Sequence, residues 1–308
     1  MKALIATAYG DVQNLEFAEA AEPNAAAGDV KIQVHAASIN PLDWKLLSGY
    51  GRGTSMELHF PAILGRDASG EVLEVGANVK SLRAGDRVLG FALGTFAERV
   101  VAVASAWAKV PPKLDLAAAA ALPMVALTGA QLADSVEAKP GMSVLVTGAV
   151  GGVGRVAVFV AKTAGATVWA GVRAEQKTAA GALGADHVVA LDDDAEIAAL
   201  PQFDAICDTV NGETIGKLLL HLKTGGALGS TLGEPVGAKQ RGVKVTAIRT
   251  RPDPARLSQL AIAAADGRLI VPVQRAFPLE QGADAFRLAR QDGVAKVLLM
   301  PQLPSTDR

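Results

Sequence analysis

The amino-acid sequence predicts an α/β protein in which a doubly wound parallel sheet is joined to an N-terminal, mostly antiparallel, barrel-like domain. The N-terminal third is rich in short strands and turns, and it lacks the alternation of strands with helices that a parallel sheet requires. From Leu116 onward, strands and helices do alternate. Within that part, the segment from Ser143 to Gly171 is typical of a strand, a glycine turn, a helix and a second strand.

Turn residues separate the short strands predicted for the N-terminal third, which are Lys2 to Thr7, Asp29 to Ala36, Glu71 to Val75, Arg87 to Phe91 and Ala97 to Val103. Besides the helix that follows the glycine turn, three helices are predicted in the next part of the chain, around Ala117 to Ala133, from Glu175 to Leu183 and from Glu213 to His221. The strands predicted between and after them are Ser143 to Thr147, Ala166 to Ala170, His187 to Ala190, Phe203 to Asp208, Gly226 to Thr231 and Val243 to Ile248.

The C-terminal section alternates again. Its predicted elements are a helix over Pro254 to Ala265, extended chain over Val271 to Phe277, a helix over Gln281 to Arg290 and a strand over Lys296 to Met300. We expect the last strand to rejoin the first domain, because chain ends usually lie close together. The predicted domains are therefore residues 1–114 with 251–308, and residues 115–250.

The glycine turn after the strand Ser143 to Thr147 carries the clearest functional signal. Four of the seven residues of this turn are glycines. The seven are Gly148, Ala149, Val150, Gly151, Gly152, Val153 and Gly154. Two registers of a dinucleotide-binding pattern fit, one with alanine at its first position and one with alanine at its last. Such a turn lets a pyrophosphate approach the backbone at a helix N-terminus. The alternative is a tight turn that packs the helix on the sheet without a ligand.

The end of the second strand bears on which dinucleotide would bind. An NAD site needs a carboxylate there, about 20 residues beyond the glycines, to accept from the ribose hydroxyl. This chain offers Arg173 and, one helical turn later, Lys177. A guanidinium can hold a 2′-phosphate with two hydrogen bonds, and an ammonium adds a point charge. We therefore favour NADPH over NADH, although Glu175 lies close enough to leave NADH open and both cations could belong to a solvated helix start.

Composition excludes several other classes of protein. The formal net charge is -1, so the chain has no electrostatic signature of a nucleic-acid or anionic-membrane partner. A single cysteine, Cys207, excludes an internal disulfide and a multi-cysteine zinc site. The N-terminal apolar run reaches Asp11 too soon for a signal peptide, and Pro123 interrupts the most apolar stretch. These features favour a cytoplasmic protein.

Three further segments carry a family resemblance. They are Ser38 to Lys45, with its Asn-Pro-Leu-Asp run, Phe60 to Val72, and Gly94 to Glu98. Together with the glycine turn, they resemble the medium-chain dehydrogenase/reductase superfamily over essentially the whole chain. Within it, they are similar to the branch of zinc-free quinone oxidoreductases and enone or alkenal reductases. The resemblance implies a Rossmann domain, a GroES-like N-terminal domain completed by the C-terminus, and commonly a homodimer, here through Val243 to Ile248.

The resemblance also implies cofactor and metal assignments. Zinc-dependent members place Cys or His at the positions held here by Asn40 and Arg66, which cannot replace thiolate and imidazole on zinc; we therefore expect no metal. Further cofactor contacts carried over from the family are Thr128, Val210, Asn211, Ser230, Thr231, Leu232 and Lys296. The chain departs from the family at Leu191, where a tyrosine often lies near the 2′-phosphate.

Without a metal, hydrogen-bond donors must polarise the substrate carbonyl. Asn40, Lys45 and Tyr50 are candidate donors, and Asp43 could orient Lys45 or organise the loop. We expect an apolar substrate pocket between the domains, lined by Trp44, Phe60 and Phe91, although each of these side chains could instead be surface or core. The sequence thus predicts an NADPH-dependent, zinc-independent reductase of small hydrophobic quinones or α,β-unsaturated carbonyls. The alternative is a non-catalytic NADPH-binding redox sensor or structural protein.

Overall fold

The computed structural model describes residues 1–291 and 295–302, with the side chain of residue 239 excepted. The chain forms two compact units: Met1–Met124 with Pro252–Arg308, and Val125–Arg251. We call them unit 1 and unit 2. The limit expected at residue 114 lies earlier than the observed one, because the first helical segment after it packs against strands of unit 1. Over the described residues, no helix combines the length and apolar character needed to cross a membrane.

The helices and strands from the start of the chain to residue 135 are, in order, β1 Lys2–Ala6, β2 Leu15–Glu19, β3 Asp29–Ser38, α1 Pro41–Leu47, β4 Ala62–Ile63, β5 Asp67–Val75, β6 Arg87–Phe91, β7 Arg99–Val103, β8 Trp107–Lys109, α2 Leu116–Ala120 and α3 Pro123–Ser135, which crosses from unit 1 into unit 2. The sequence analysis missed β2, β4, β8 and α1 and began β5 four residues late. The single helix expected over Ala117 to Ala133 is two helices, since Pro123 has no backbone N–H with which to continue the first.

The remaining elements are β9 Ser143–Thr147, α4 Gly152–Thr163, β10 Thr167–Val172, α5 Lys177–Gly181, β11 His187–Ala190, α6 Asp194–Ala198, β12 Phe203–Asp208, α7 Gly212–Leu218, β13 Leu222–Ser230, β14 Lys244–Ala247, α8 Pro254–Ala265, β15 Val273–Pro278, α9 Gly282–Ala289 and β16 Lys296–Met300. Six short 3-10 turns complete the described elements. The strands predicted at His187 to Ala190, Phe203 to Asp208 and Lys296 to Met300 and the helix at Pro254 to Ala265 have the bounds expected from the sequence.

Unit 1 is built on two sheets. Three strands pair in the order β2-β1-β4, and a seven-stranded sheet has the order β15-β16-β3-β5-β6-β8, with β7 also paired to β3. The expected return of the C-terminus is confirmed, because β16 pairs antiparallel with β3 through Leu298 and Ser38. One pair departs from the antiparallel pattern, since β15 and β16 are parallel. The core between these strands includes Ile32, Val72, Phe96 and Phe286.

Unit 2 contains a parallel sheet of six strands in the order β11-β10-β9-β12-β13-β14. The chain order reverses between β9 and β12, which are neighbours in the sheet although they are far apart in sequence. In open α/β sheets, ligands bind outside the carboxyl ends of the strands at such a switch point. The α/β fold with a Rossmann sheet and a second, mostly antiparallel unit is thereby confirmed.

Candidate functional site

The glycine turn of unit 2 joins the end of β9 to α4, as the sequence predicts. Three of its glycines are required by packing. A Cβ on Gly148, whose φ is +61°, would meet Thr209 Oγ1 at 2.4 Å, and one on Gly154 would meet the carbonyl oxygen of Gly148 at 2.2 Å. A Cβ on Gly152 would meet Val125 Cγ1 at 2.8 Å. These glycines bring the turn, the helix and their neighbours closer than any side chain would permit.

Gly151 differs from those three glycines. A Cβ built on it would meet only the carbonyl oxygen of Gly148, at 3.1 Å, and its φ of -68° suits any residue. It is exposed and forms the N-cap of α4, where no side chain caps the helix. The first-turn N–H groups of α4 therefore have no side-chain acceptor, and the backbone beside them is open to a ligand. This arrangement fits a dinucleotide pyrophosphate.

Asp208, at the end of β12, organises the edge of the sheet beside this turn. Its Oδ1 accepts from Thr147 Oγ1 at 3.0 Å and from the backbone N–H groups of Val210 and Asn211 at 3.1 and 3.0 Å. Its Oδ2 accepts from Ser230 Oγ at 2.8 Å. The sequence analysis missed Asp208 and Thr147, although a polar residue that ends an apolar strand was the signal that could have found them.

Asp208 thus connects several of the predicted cofactor residues. Ser230 Oγ also accepts from the N–H of Leu232 at 3.2 Å, and the N–H of Thr231 donates to the carbonyl oxygen of Asp208 at 3.1 Å. Asn211 has a φ of +59° and caps α7 through its side chain. Such a conformation costs free energy for a residue other than glycine, so the surrounding hydrogen bonds must hold it in place. Of the predicted set, Val210, Asn211, Ser230, Thr231 and Leu232 therefore lie together.

The two predicted 2′-phosphate ligands already have acidic partners. Arg173 Nε lies 2.9 Å from Glu175 Oε1, and Lys177 Nζ lies 2.5 Å from Glu196 Oε1. These side chains are substantially exposed, so the pairs contribute little to stability. Leu191 packs over Gly171, where a Cβ would meet it at 2.6 Å. The second strand tip therefore carries mixed charge rather than two unpaired cations.

Thr128 lies on α3 and is largely buried. Its Oγ1 is 2.6 Å from the Oγ1 of Thr250, a neighbour that the sequence gave no reason to expect. Gln131, one turn further along α3, donates to the carbonyl oxygen of Arg251 and accepts from its N–H. These bonds join α3 to the segment after β14. A coenzyme contact for Thr128 stays a prediction.

A buried polar network lies beneath Asn40 and the helix α1 that follows it in unit 1, residues 40–47, which we call the Asn40 loop. Asp67 Oδ2 accepts from Ser38 Oγ at 2.8 Å and from Asn40 Nδ2 at 3.0 Å, and its Oδ1 accepts from the N–H of Met124 at 2.8 Å. Lys296 Nζ donates to Asn40 Oδ1 at 2.7 Å and lies 3.7 Å from Asp67 Oδ2. The side chains of Ser38, Asn40 and Asp67 are buried, and that of Lys296 is 10% exposed. The observed place of Lys296 is therefore unit 1, in contact with Asn40, rather than the unit that holds the glycine turn.

The network changes what Asn40 can do. Its second amide hydrogen points to the carbonyl oxygen of Ser38 at 3.2 Å, so both hydrogens of the amide are used within unit 1. Its side-chain oxygen is used by Lys296. Asn40 therefore has no amide hydrogen left for a substrate, and the donor role expected from the sequence becomes a structural one in our interpretation. Asp67 was missed because the predicted strand started at Glu71.

Asp43 fixes the start of α1, since its Oδ2 accepts from the N–H of Asn40 at 2.7 Å. Its Oδ1 is buried without a hydrogen-bond partner among the described residues. Burial raises the pKa of this carboxyl from 3.8 to about 7, partly offset by the Asn40 N–H. Burial likewise raises the pKa of Asp67 and lowers that of Lys296, which leaves each nearer to its neutral form than it would be in water.

Lys45 and Tyr50 are the predicted donors that the network leaves unused. Lys45 is partly buried on α1, and its ammonium makes no hydrogen bond or ion pair with the described residues. Tyr50 is 57% exposed on a segment where Gly49, Gly51 and Gly53 all have positive φ. Of the predicted pocket walls, Trp44 and Phe60 pack against the core of unit 1, whereas Phe91 ends β6 at intermediate exposure.

The residues do not fit a zinc ion. Within the described part of the chain, no three His, Cys, Asp or Glu side chains come together in a way that could hold a metal. The amide of Asn40 is already fully bonded, and the Lys296 ammonium lies 3.7 Å from the Asp67 carboxylate, where it repels a second cation. Cys207 is fully buried in β12, where burial raises the pKa of its thiol to about 12.

An antiparallel unit completed by the C-terminus and a six-stranded parallel sheet together define the two-domain class of dehydrogenase folds. Residues 26–112 match the family described as alcohol dehydrogenase GroES-like domain, and residues 183–295 match the family described as zinc-binding dehydrogenase. The quinone oxidoreductase structure from Coxiella burnetii superposes with a TM-score of 0.89 at 28% identity, covering 97% of this chain and 99% of that chain. The chain belongs to the medium-chain dehydrogenase/reductase superfamily.

Two curated relatives agree with this family. The chloroplast envelope quinone oxidoreductase homolog of Arabidopsis thaliana is 37% identical over 202 residues, which are 61% of this chain and 60% of that protein. The mitochondrial NAD(P)H oxidoreductase RTN4IP1 of Mus musculus is 36% identical over 219 residues, 63% of this chain and 55% of that protein. The matched segments thus span less than two thirds of the length of either relative. The resemblance to the quinone oxidoreductase branch is confirmed.

Proposed function

We propose that the chain is a nicotinamide-dependent reductase that transfers hydride to quinones or α,β-unsaturated carbonyls, with NADPH as the preferred coenzyme. One observation carries the proposal. The same chain holds a glycine turn whose Gly151 is open to a ligand and an Asn40 loop with Lys45, whose ammonium makes no hydrogen bond or ion pair with the described residues. The names of its relatives, quinone oxidoreductase and NAD(P)H oxidoreductase, support the same reaction class.

In this proposal the coenzyme is held by unit 2. A reduced nicotinamide, when bound, supplies the hydride. The uncapped first turn of α4 offers N–H groups and the positive end of a helix dipole to the pyrophosphate. Asp208 keeps the Val210–Asn211 backbone and Ser230 in fixed positions, so this edge of the sheet needs little rearrangement to receive a nucleotide.

A preference for NADPH would depend on Arg173. Its exposed pair with Glu175 is weak enough for a phosphate dianion to displace the carboxylate. We expect Arg173→Ala to raise the KM for NADPH about tenfold while leaving that for NADH nearly unchanged, as the loss of a charge-assisted hydrogen bond predicts. Lys113→Ala, a substitution of a lysine far along the sequence from the second strand tip, serves as the control. Equal losses with both coenzymes would remove the 2′-phosphate assignment.

Hydride transfer to a quinone or enone leaves negative charge on the substrate oxygen, and a donor aimed at that oxygen lowers the barrier. Lys45 and Tyr50 are proposed donors because neither is used by the buried network. We expect Lys45→Ala to lower kcat about tenfold or more without a matching change in the NADPH dissociation constant. Lys45→Arg, which keeps the charge, should retain more activity. An unchanged kcat in Lys45→Ala would exclude Lys45 from the reaction.

A panel assay tests the reductase itself. Consumption of NADPH and NADH is followed with 9,10-phenanthrenequinone, a para-quinone and an alkenal, and formation of NADPH and NADH is followed with a primary alcohol and oxidised coenzyme. Quinone or alkenal reduction that persists in a chelator supports the proposal. Coenzyme binding with no consumption on any acceptor would instead support a redox sensor or structural protein. Alcohol oxidation restored by added zinc would contradict the zinc-independent chemistry.

Two expectations about the protein in the cell complete the proposal. A homodimer would form through β14, which pairs only with β13 among the described strands and so leaves one edge available. A cytoplasmic location stays a prediction, and the curated relatives named above carry chloroplast and mitochondrial designations.

A further inference from the structure

Arg66 is a partly buried cation without a visible partner. It lies directly before β5, and its guanidinium makes no hydrogen bond or ion pair with residues 1–291 or 295–302. Its Nε is buried and unbonded within the same part of the chain. Burial lowers the pKa of Arg66, with the charges of Asp43 and Asp67 opposing that shift. The guanidinium stays charged at neutral pH because its ordinary pKa is so high.

Other arginines in similar surroundings are paired. Burial also lowers the pKa of Arg155, but its Nη2 donates to the carbonyl oxygen of Val150 at 2.8 Å. Arg99 lies 3.0 Å from Glu22 through its Nε. A charge that is removed from water without a partner costs free energy. The charges of Asp43 and Asp67 offset only part of this cost at Arg66, and a partly buried guanidinium that makes no hydrogen bond with the described residues is typical of a group that meets a ligand.

The backbone of Arg66 is held firmly. A Cβ on the preceding Gly65, whose φ is +95°, would meet Thr95 Oγ1 at 2.4 Å and Phe96 Cδ1 at 2.6 Å. The carbonyl oxygen of Arg66 accepts from the N–H of Ala92 at 2.8 Å. Asp67, the next residue, is bonded into the network beneath the Asn40 loop. The Arg66 side chain therefore extends from a backbone position that is fixed at the start of β5. Tyr50, in contrast, lies on a glycine-rich segment.

The surroundings also favour an oxygen ligand. Asp43, whose charge acts on Arg66, belongs to the Asn40 loop that also carries Lys45. Asn40 and Lys296, two donors of the network beneath the Asn40 loop, are already bonded to each other, and the Ser38 hydroxyl donates to Asp67. A planar guanidinium can give two parallel hydrogen bonds to one or two oxygens, and it loses little freedom in doing so when its backbone is fixed.

We propose that Arg66 is a catalytic residue of the reductase, which binds the substrate oxygen that becomes negatively charged on hydride transfer. This inference rests on the proposed function. The hydride adds to the electrophilic carbon of the quinone or enone, the displaced electron pair moves to the oxygen, and the guanidinium donates hydrogen bonds to the resulting anion. The proton that completes the product comes from solvent.

Steady-state kinetics of Arg66→Met and Arg66→Lys tests the role. For Arg66→Met we expect kcat/KM for the quinone to fall about 100-fold, as the removal of one donor to a developing oxyanion does, while the dissociation constant for NADPH stays within about twofold. Arg66→Lys should recover part of the loss. The control is Arg83→Met, which removes an arginine that is 85% exposed and should leave every constant unchanged. Urea unfolding of Arg66→Met should show little loss of stability, because the side chain has no hydrogen-bond or ion-pair partner among the described residues and the charges of Asp43 and Asp67 offset only part of its burial cost.

Equilibrium binding of 4-nitrophenolate, followed by its absorbance in the presence of NADP⁺, gives a second readout that does not need turnover. We expect its affinity to fall tenfold or more in Arg66→Met. An active wild type with unchanged kcat/KM in Arg66→Met overturns the role of Arg66 and leaves the proposed function standing. A wild type that reduces no acceptor overturns the proposed function, and equal binding of the phenolate by both proteins then overturns Arg66 as an anion-binding residue as well.

Discussion

Two buried aspartates organise the candidate functional regions of the two units, and they are stabilised in different ways. Asp67 in unit 1 and Asp208 in unit 2 are both fully buried, and each accepts from a serine hydroxyl at 2.8 Å. Around Asp208, the donors are two hydroxyls and two backbone N–H groups, all of them neutral. Around Asp67, the ammonium of Lys296 lies 3.7 Å away and joins the same network through Asn40.

The difference has a physical consequence for each loop. Four neutral donors, two of them on the backbone, can hold a carboxylate without a counter-charge, so the Val210–Asn211 segment depends mainly on local geometry. The Asn40 loop depends on a buried set of charges that includes Asp43, Asp67 and Lys296. Removing one charge from such a set leaves the others uncompensated. The contribution of the Asn40 loop to the free energy of unfolding should therefore depend on charge and pH. That of the Asp208 region should depend on single hydrogen bonds.

The largest effect is expected for Lys296→Met. This change removes the cation beside Asp67 and leaves the carboxyl buried, so the free energy of unfolding should fall by about 3–5 kcal/mol. Urea unfolding measures the loss. The double variant Lys296→Met with Asp67→Asn should recover at least half of it, because no unpaired charge then remains. A double variant as unstable as the sum of both single variants would show that the two side chains act independently.

A smaller effect is expected from the titration of Asp43. The pKa of this carboxyl is about 7 in the folded chain and near 3.9 in an unfolded one. Between those values the folded chain binds the extra proton, so stability is highest at low pH and falls as pH rises toward about 7. The fall is at most about 4 kcal/mol, at roughly 1.4 kcal/mol per pH unit. Burial also raises the pKa of Asp67, so this carboxyl adds to the fall of stability with rising pH.

Asp43→Asn isolates the contribution of this one carboxyl. The amide oxygen can still accept from the N–H of Asn40, but it does not titrate. Urea unfolding at about pH 5 and about pH 8 should therefore show a smaller difference for the variant than for the wild type. Parallel pH profiles for the two proteins would mean that Asp43 titrates normally and that the charge set beneath the Asn40 loop is weaker than described.

The sequence predicted the parallel sheet and the glycine turn, because each depends on local periodicity or on residues with restricted conformations, and it predicted the return of β16 from the general closeness of chain ends. It could not predict which side chains would share a buried network. Ser38, Asp67 and Lys296 are far apart in the chain and meet only through the pairing of β3, β5 and β16. Lys296 was carried over from the family resemblance as a coenzyme contact and Asn40 was predicted as a donor to the substrate, and neither prediction could take account of the acceptors that the fold brings within reach.

A matched pair of serine substitutions, which have the smallest expected effects, tests directly whether Asp208 and Asp67 are stabilised in different ways. Ser230→Ala removes the donor that Asp208 Oδ2 uses among the described residues and also frees the N–H of Leu232, so we expect a loss of about 2 kcal/mol. Ser38→Ala leaves Asp67 Oδ2 with Asn40 and Lys296, so we expect about 1 kcal/mol. Urea unfolding of both variants decides the order. A loss for Ser38→Ala that equals or exceeds the loss for Ser230→Ala would mean that the ammonium does not compensate Asp67, and the contrast between the two aspartates would then be wrong.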